Sequence, residues 1–100
     1  MIIGKIKEIY KDEKNPSIYD LIQEEPIKNK EEVLEYLKKG KIVAYAPGRV
    51  KDVVSGKYID GDLCCYTDGT YEWRSDTIYY FDKYNLRLDE EFILYASRMK

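Results

Sequence analysis

Histidine is absent from this chain of 100 residues. That absence excludes Cys-His dyads, serine triads and histidine-based metal sites. Cysteine is scarce: Cys64 and Cys65 are the two in the chain. Two are too few for a disulfide framework. Neighbours on a strand point to opposite faces, so this pair is badly placed to bridge itself, and reduced thiols are expected. No apolar run is long enough to cross a membrane, and Met1–Tyr10 has no signal-peptide pattern, so a cytoplasmic chain without membrane contact is expected. There is no glycine-rich phosphate loop. Asp60 and Asp62 flank Gly61, but the D-x-D-x-D-G order of a calcium loop is missing. No catalytic residue, metal site or cofactor is therefore expected.

Cations are not in excess either. Lys and Arg number 17 against 19 Asp and Glu, a net charge of −2. Nucleic-acid binding needs clustered Lys and Arg, so no nucleic-acid partner is expected. Charge is uneven along the chain. Between residues 52 and 76, Asp52, Asp60, Asp62, Asp68, Glu72 and Asp76 face only Lys57 and Arg74. This stretch reads either as a solvated face with turn aspartates or as an acidic docking surface for a basic partner. Asp60, Asp62, Asp68 and Glu72 are the candidate contact residues on the second reading.

What the chain does have is tyrosine, 11 in all, and a 44% apolar share, enough for one core in one domain spanning 1–100. Ile2, Ile3, Ile6, Ile9 and Tyr10 recur at helical spacing, which predicts an amphipathic helix over Met1–Tyr10 weakened by Gly4. Ser17 is placed to cap a short helix, with Asp20 at the capping-box position and Ile18, Leu21 and Ile22 turned inward, ended by Pro26. Asn29 is placed to cap the next, with Glu32 three residues on, a stripe of Val33, Leu34 and Leu37, and Gly40 as a left-handed C-terminal cap.

From Lys41 the period changes. Ile42–Ala46 is an almost continuous apolar run, as in a central strand, ended by Pro47-Gly48. Val50–Val54 predicts a weaker strand. Leu63–Thr67 and Thr70–Arg74 flank Asp68-Gly69, the preferred pair for a two-residue hairpin. That register pairs Cys64 with Trp73 and Tyr66 with Tyr71, all on one face, and predicts a buried Trp73. Ser75 is placed to cap a helix that Asn85 ends, with Ile78, Phe81 and Tyr84 inward and Asp76 complementing its dipole. Asp89 is placed to cap the last helix, with a Leu88–Ile93 staple, an inner face of Phe92, Ala96 and Met99, and Arg98 and Lys100 at its end. The predicted class is α+β: N-terminal helices, a small mostly antiparallel sheet with its hairpin turn at 68–69, and two C-terminal helices packed on it.

One segment carries a resemblance. Thr67-Asp68-Gly69, Tyr71, Trp73, Ser75-Asp76, Tyr79-Tyr80, Lys83-Tyr84, Leu86, Leu88 and Glu90-Glu91-Phe92 form a pattern over residues 62–92. It resembles the C-terminal half of small immunity proteins from bacterial polymorphic toxin and contact-dependent growth-inhibition systems. The resemblance implies a non-enzymatic cytoplasmic inhibitor whose partner is a cognate toxin C-terminal domain, often a nuclease. Immunity families share no single fold, so it transfers no contact residue. The alternative is an interaction or structural domain with an unrelated protein partner.

Overall fold

The computed structural model describes residues 1–98. Its elements are α1 (Lys7–Tyr10), α2 (Ile18–Leu21), α3 (Lys30–Lys38), β1 (Lys41–Ala46), β2 (Leu63–Thr67), β3 (Glu72–Arg74), α4 (Ser75–Tyr84) and α5 (Glu90–Arg98). The three strands form an antiparallel sheet in the order β1-β2-β3. The class is α+β, as the periodicities predict. α4 packs against β2 and β3, and α3 against both α4 and α5.

Trp73 is the centre of this packing. It is 1% exposed, its ring lies against Tyr36 of α3 and Phe92 of α5, and its Nε1 donates to the Leu37 carbonyl at 3.0 Å. Gly40 is explained by the same ring. It does not adopt the left-handed conformation expected of a C-cap. Instead, a Cβ there would stand 2.7 Å from Trp73 Cζ2, so the chain leaving α3 needs a residue with no side chain.

The N-terminus departs from expectation. Only Lys7–Tyr10 is helical. Residues 1–3 run extended beside β3: Glu72 N donates to Met1 O, and Ile3 N to Glu72 O, each at 2.8 Å. Alternation follows, with Ile3 buried and Ile2 exposed. The backbone groups of β3 would otherwise form an open edge, and pairing them outweighs helix propensity in a segment containing Gly4. Gly4 has φ +80°, and a Cβ on it would meet Thr77 Cγ2 at 2.7 Å.

Helix ends differ in detail. Ser17 does cap α2, its Oγ accepting from Tyr19 N at 3.3 Å. The reciprocal carboxylate is Glu8 and not Asp20: Glu8 accepts from Ser17 Oγ at 2.6 Å and from Ile18 N at 2.7 Å. α2 already ends at Leu21, where Ile22 turns extended, four residues before Pro26. Asn29 precedes α3 in a left-handed conformation (φ 60°) with no side-chain cap. Ser75 is the first residue of α4, and its Oγ accepts from Cys64 N at 3.0 Å, tying helix to strand. Asn85 ends α4 at φ 54°. Phe92 and Ala96 are buried on α5, whereas Met99 and Lys100 lie outside the described residues.

Candidate binding surface

The hairpin sets the geometry of the predicted contact residues. Thr67 pairs with Glu72 and Tyr66 with Trp73, a shift of two from the expected register. The connection is therefore Asp68–Tyr71 rather than two residues. Asp68 Oδ1 builds it, accepting from Thr70 N at 2.9 Å and Tyr71 N at 2.7 Å. Thr67 Oγ1 adds a bond to the Tyr71 carbonyl at 2.7 Å. Tyr71 is thereby released from the ladder, and its ring packs edge-on against Phe92 with centroids 5.0 Å apart. A shift of two preserves the faces, so Cys64, Tyr66 and Trp73 still share one side. Both cysteines are free, Cys64 buried and Cys65 partly so.

The four predicted carboxylates do not gather. Asp60 and Asp62 are exposed where the chain enters β2. Asp68 and Glu72 lie at the other end of that strand, about 20 Å away at the ordinary rise per residue. Asp68 is also occupied, because beyond the turn amides it accepts a short hydrogen bond from the Tyr36 hydroxyl. Burial raises its pKa, but the bonds from Tyr36, Tyr71 and Thr70 outweigh that and hold it below the ordinary value. The Glu72 side chain is exposed beside the covered edge.

Asp52, grouped with the surface acids by sequence, is fully buried. Val50–Val54 is not a strand: Asp52 Oδ1 accepts from Val54 N at 2.7 Å and Ser55 N at 3.1 Å, closing a turn. Its Oδ2 accepts from the hydroxyls of Tyr79 at 2.7 Å and Tyr84 at 2.6 Å. Val53 N donates to the Tyr80 hydroxyl at 2.9 Å. Three tyrosines of α4 thus pin the long connection between β1 and β2. Burial alone would raise the Asp52 pKa, but the four donors outweigh it and bring it to about 2. A buried carboxylate with all its partners supplied by its own chain is a fastening rather than a reactive group. Among the described residues no group of three or more Cys, Asp or Glu is arranged to hold a metal ion.

β1 is the surface that sequence reasoning missed. It was expected at the centre of the sheet, and it is the edge. All six of its residues, Lys41 to Ala46, are exposed. Ile42 is 39%, Val43 50% and Tyr45 68% exposed. Ile42 pairs with Tyr66 and Tyr45 with Cys64, so both stand on the Trp73 face, beyond the reach of the helices that cover β2 and β3. A register irregularity falls between Ile42 and Ala44. The overlooked signals were the bracketing residues: a lysine at the start and a proline just past the end are marks of an edge strand.

A concavity of about 830 Å³ lies between the N-terminal segments and α5, lined by Leu21, Ile27, Leu88 and Ile93 with Lys5 and Arg87 at its margin. The Arg87 guanidinium donates to the Asp20 carbonyl, so this cation already holds α2. No helix among the described residues is long and apolar enough to cross a membrane. Comparison of the chain with protein-family models, with curated proteins and with solved structures finds no match.

Proposed function

We propose that this chain is an immunity protein: a non-enzymatic binder that neutralises a cognate bacterial toxin domain in the cytoplasm. The observation that carries the binding half of this reading is β1, a six-residue strand exposed on both faces and at its outer edge. Contiguous apolar surface of this kind marks a place where another molecule sits. The toxin half is supported by the resemblance over residues 62–92. The lack of histidine supports a binder over a catalyst.

Asp60 and Asp62 take a supporting part. They adjoin the Ala46 end of β1, where Leu63 pairs with Ala46. There they can steer a cationic nuclease toward the sheet, raising association rate more than final affinity. Asp68 is assigned to its turn, and Glu72 lies at the far end of the sheet.

The test is a search of the gene's neighbourhood for a toxin C-terminal domain, followed by co-expression of the two chains. The expected result is restored growth and recovery of a complex of the two chains. Growth arrest despite folded protein, with no complex, would leave an interaction domain with an unrelated partner as the better reading.

A further inference from the structure

The two edges of the sheet are finished differently. The β3 edge is closed by residues 1–3. Among the described residues no such strand lies beside the β1 edge in the sheet order β1-β2-β3. Alternate residues of an edge strand direct their N–H and C=O groups away from the sheet, a template for another strand. Charge along β1 runs against the chain as a whole, with Asp68 and Glu72 set one and two strands further in at its Lys41 end. Residues 38–49 hold Lys38, Lys39, Lys41 and Arg49 and no carboxylate, in a chain of net −2. Lys38, Lys39 and Lys41 are exposed together at the start of the strand. At its other end Arg49 and Lys51 stack on the Tyr58 ring, 4.7 and 5.3 Å from its centroid. Asp60 and Asp62 lie at that end too, one strand further in.

From this arrangement we infer that the outer edge of β1 takes an extended segment of a partner protein as a fourth strand. The segment is apolar at alternate positions and acidic at the end beside Lys38, Lys39 and Lys41. Backbone bonds to β1 supply affinity, Ile42 and Tyr45 supply an apolar row for its side chains, and the lysines fix its direction. Antiparallel addition, the arrangement of all three strands, places the acidic residues at the C-terminal end of the segment. A second copy of this chain fits less well. Its β1, laid antiparallel, brings Lys41 beside the Arg49 end of the first, and the strand itself carries no carboxylate, Asp60 and Asp62 lying one strand further in. The inference rests on the binding-module reading and not on the partner being a toxin.

Two synthetic peptides test it: an alternating Val-Thr strand ending in three C-terminal glutamates, and the same strand ending in three lysines. Titrated into the isotope-labelled protein, the glutamate peptide should shift the backbone amide signals of residues 41–46 and bind at least tenfold tighter than the lysine peptide. In the double variant K38E/K39E, altered at the exposed end of α3 and outside the strand, that order should reverse. Equal affinities, or shifts confined to residues outside 38–49, would overturn the proposal. So would a concentration-dependent dimer in sedimentation whose interface maps to β1, which would make a second copy the occupant. The peptide result and the toxin co-expression result are independent, so either can fail alone.

Discussion

The sheet has two edge strands of unlike character, one built into the core and the other bare. β3 is short, three residues, yet the N-terminal segment pairs its outer side and helices α3 and α5 seal Trp73 beneath it. β1 is twice as long and more apolar, yet every residue of it is exposed. Hydrophobicity along the strand is therefore not what decides burial. Position relative to the helices is. α4 follows directly from β3 and returns across β2, and α3 and α5 gather over Trp73, so cover runs out at Ile42 and Tyr45. A strand left bare in this way contributes its ladder to β2 but little side-chain burial.

The contrast can be broken first at its strong side. Trp73→Ala removes the ring that touches Tyr36 and Phe92 and the bond from Nε1 to the Leu37 carbonyl, and should cost about 3–5 kcal/mol, the range for large aromatic truncations in cores. Urea denaturation of the variant measures it. A variant with an unchanged midpoint would show that β3 is no better anchored than β1. Gly40→Ala probes the same ring from the other direction. The added methyl would stand 2.7 Å from Trp73 Cζ2, and overpacking of this kind costs about 1–3 kcal/mol. Here a stabilised variant would sink the argument, since replacing glycine by alanine lowers the entropy of the unfolded chain and stabilises wherever space allows it.

Those two positions also show what sequence could and could not convey. Trp73, Phe81, Phe92 and Ala96 were legible as core because periodicity records which side of an element faces inward, and that survives a register shift of two. The class of fold was legible for the same reason. Gly40 was legible only as a glycine. Its cause lies 33 positions away, across the packed ring, where local patterns do not reach. β1 was misplaced because a continuous apolar run is the same string whether helices cover it or not. Asp52 reads as a surface acid in sequence because its partners, Tyr79 and Tyr84, arrive from another element. Of the predicted contact residues, Asp60 and Asp62 are free at the surface. Asp68 was correctly a turn former, and that duty is what occupies it.

Asp52 gives the third way to sharpen the comparison, through pH. Its folded pKa of about 2 lies below the ordinary 3.8, so the folded state binds the proton less readily than the unfolded chain. Stability from this group is full above pH 4 to 5 and disappears as pH falls toward 2, an effect of about 2 kcal/mol. Asp52→Asn should flatten that part of the acid-denaturation curve and lower stability at neutral pH. If the slope between pH 5 and 2 is the same in both proteins, the tyrosine fastening of the β1–β2 connection is not what the acid limb reports.

The smallest expected effect is the most informative about β1. Val43→Thr and Tyr45→Thr keep strand-forming residues and remove apolar surface that is already half or more exposed. Exposed substitutions away from caps, cavities and buried bonds stay within about 0.5 kcal/mol. The pair should therefore leave the denaturation midpoint almost where it was, while binding of the glutamate-ended strand weakens severalfold as Tyr45 leaves the apolar row. The two quantities must separate for the contrast between the edges to hold. A fall in stability comparable with Gly40→Ala would mean that β1 supports the fold through Tyr66 and Cys64, its partners on β2. An unchanged affinity would mean that Ile42 and the lysines carry recognition without Val43 and Tyr45. The Thr variants thus measure, at a strand where nothing covers the side chains, how much of an apolar run is spent on folding and how much is left for a partner.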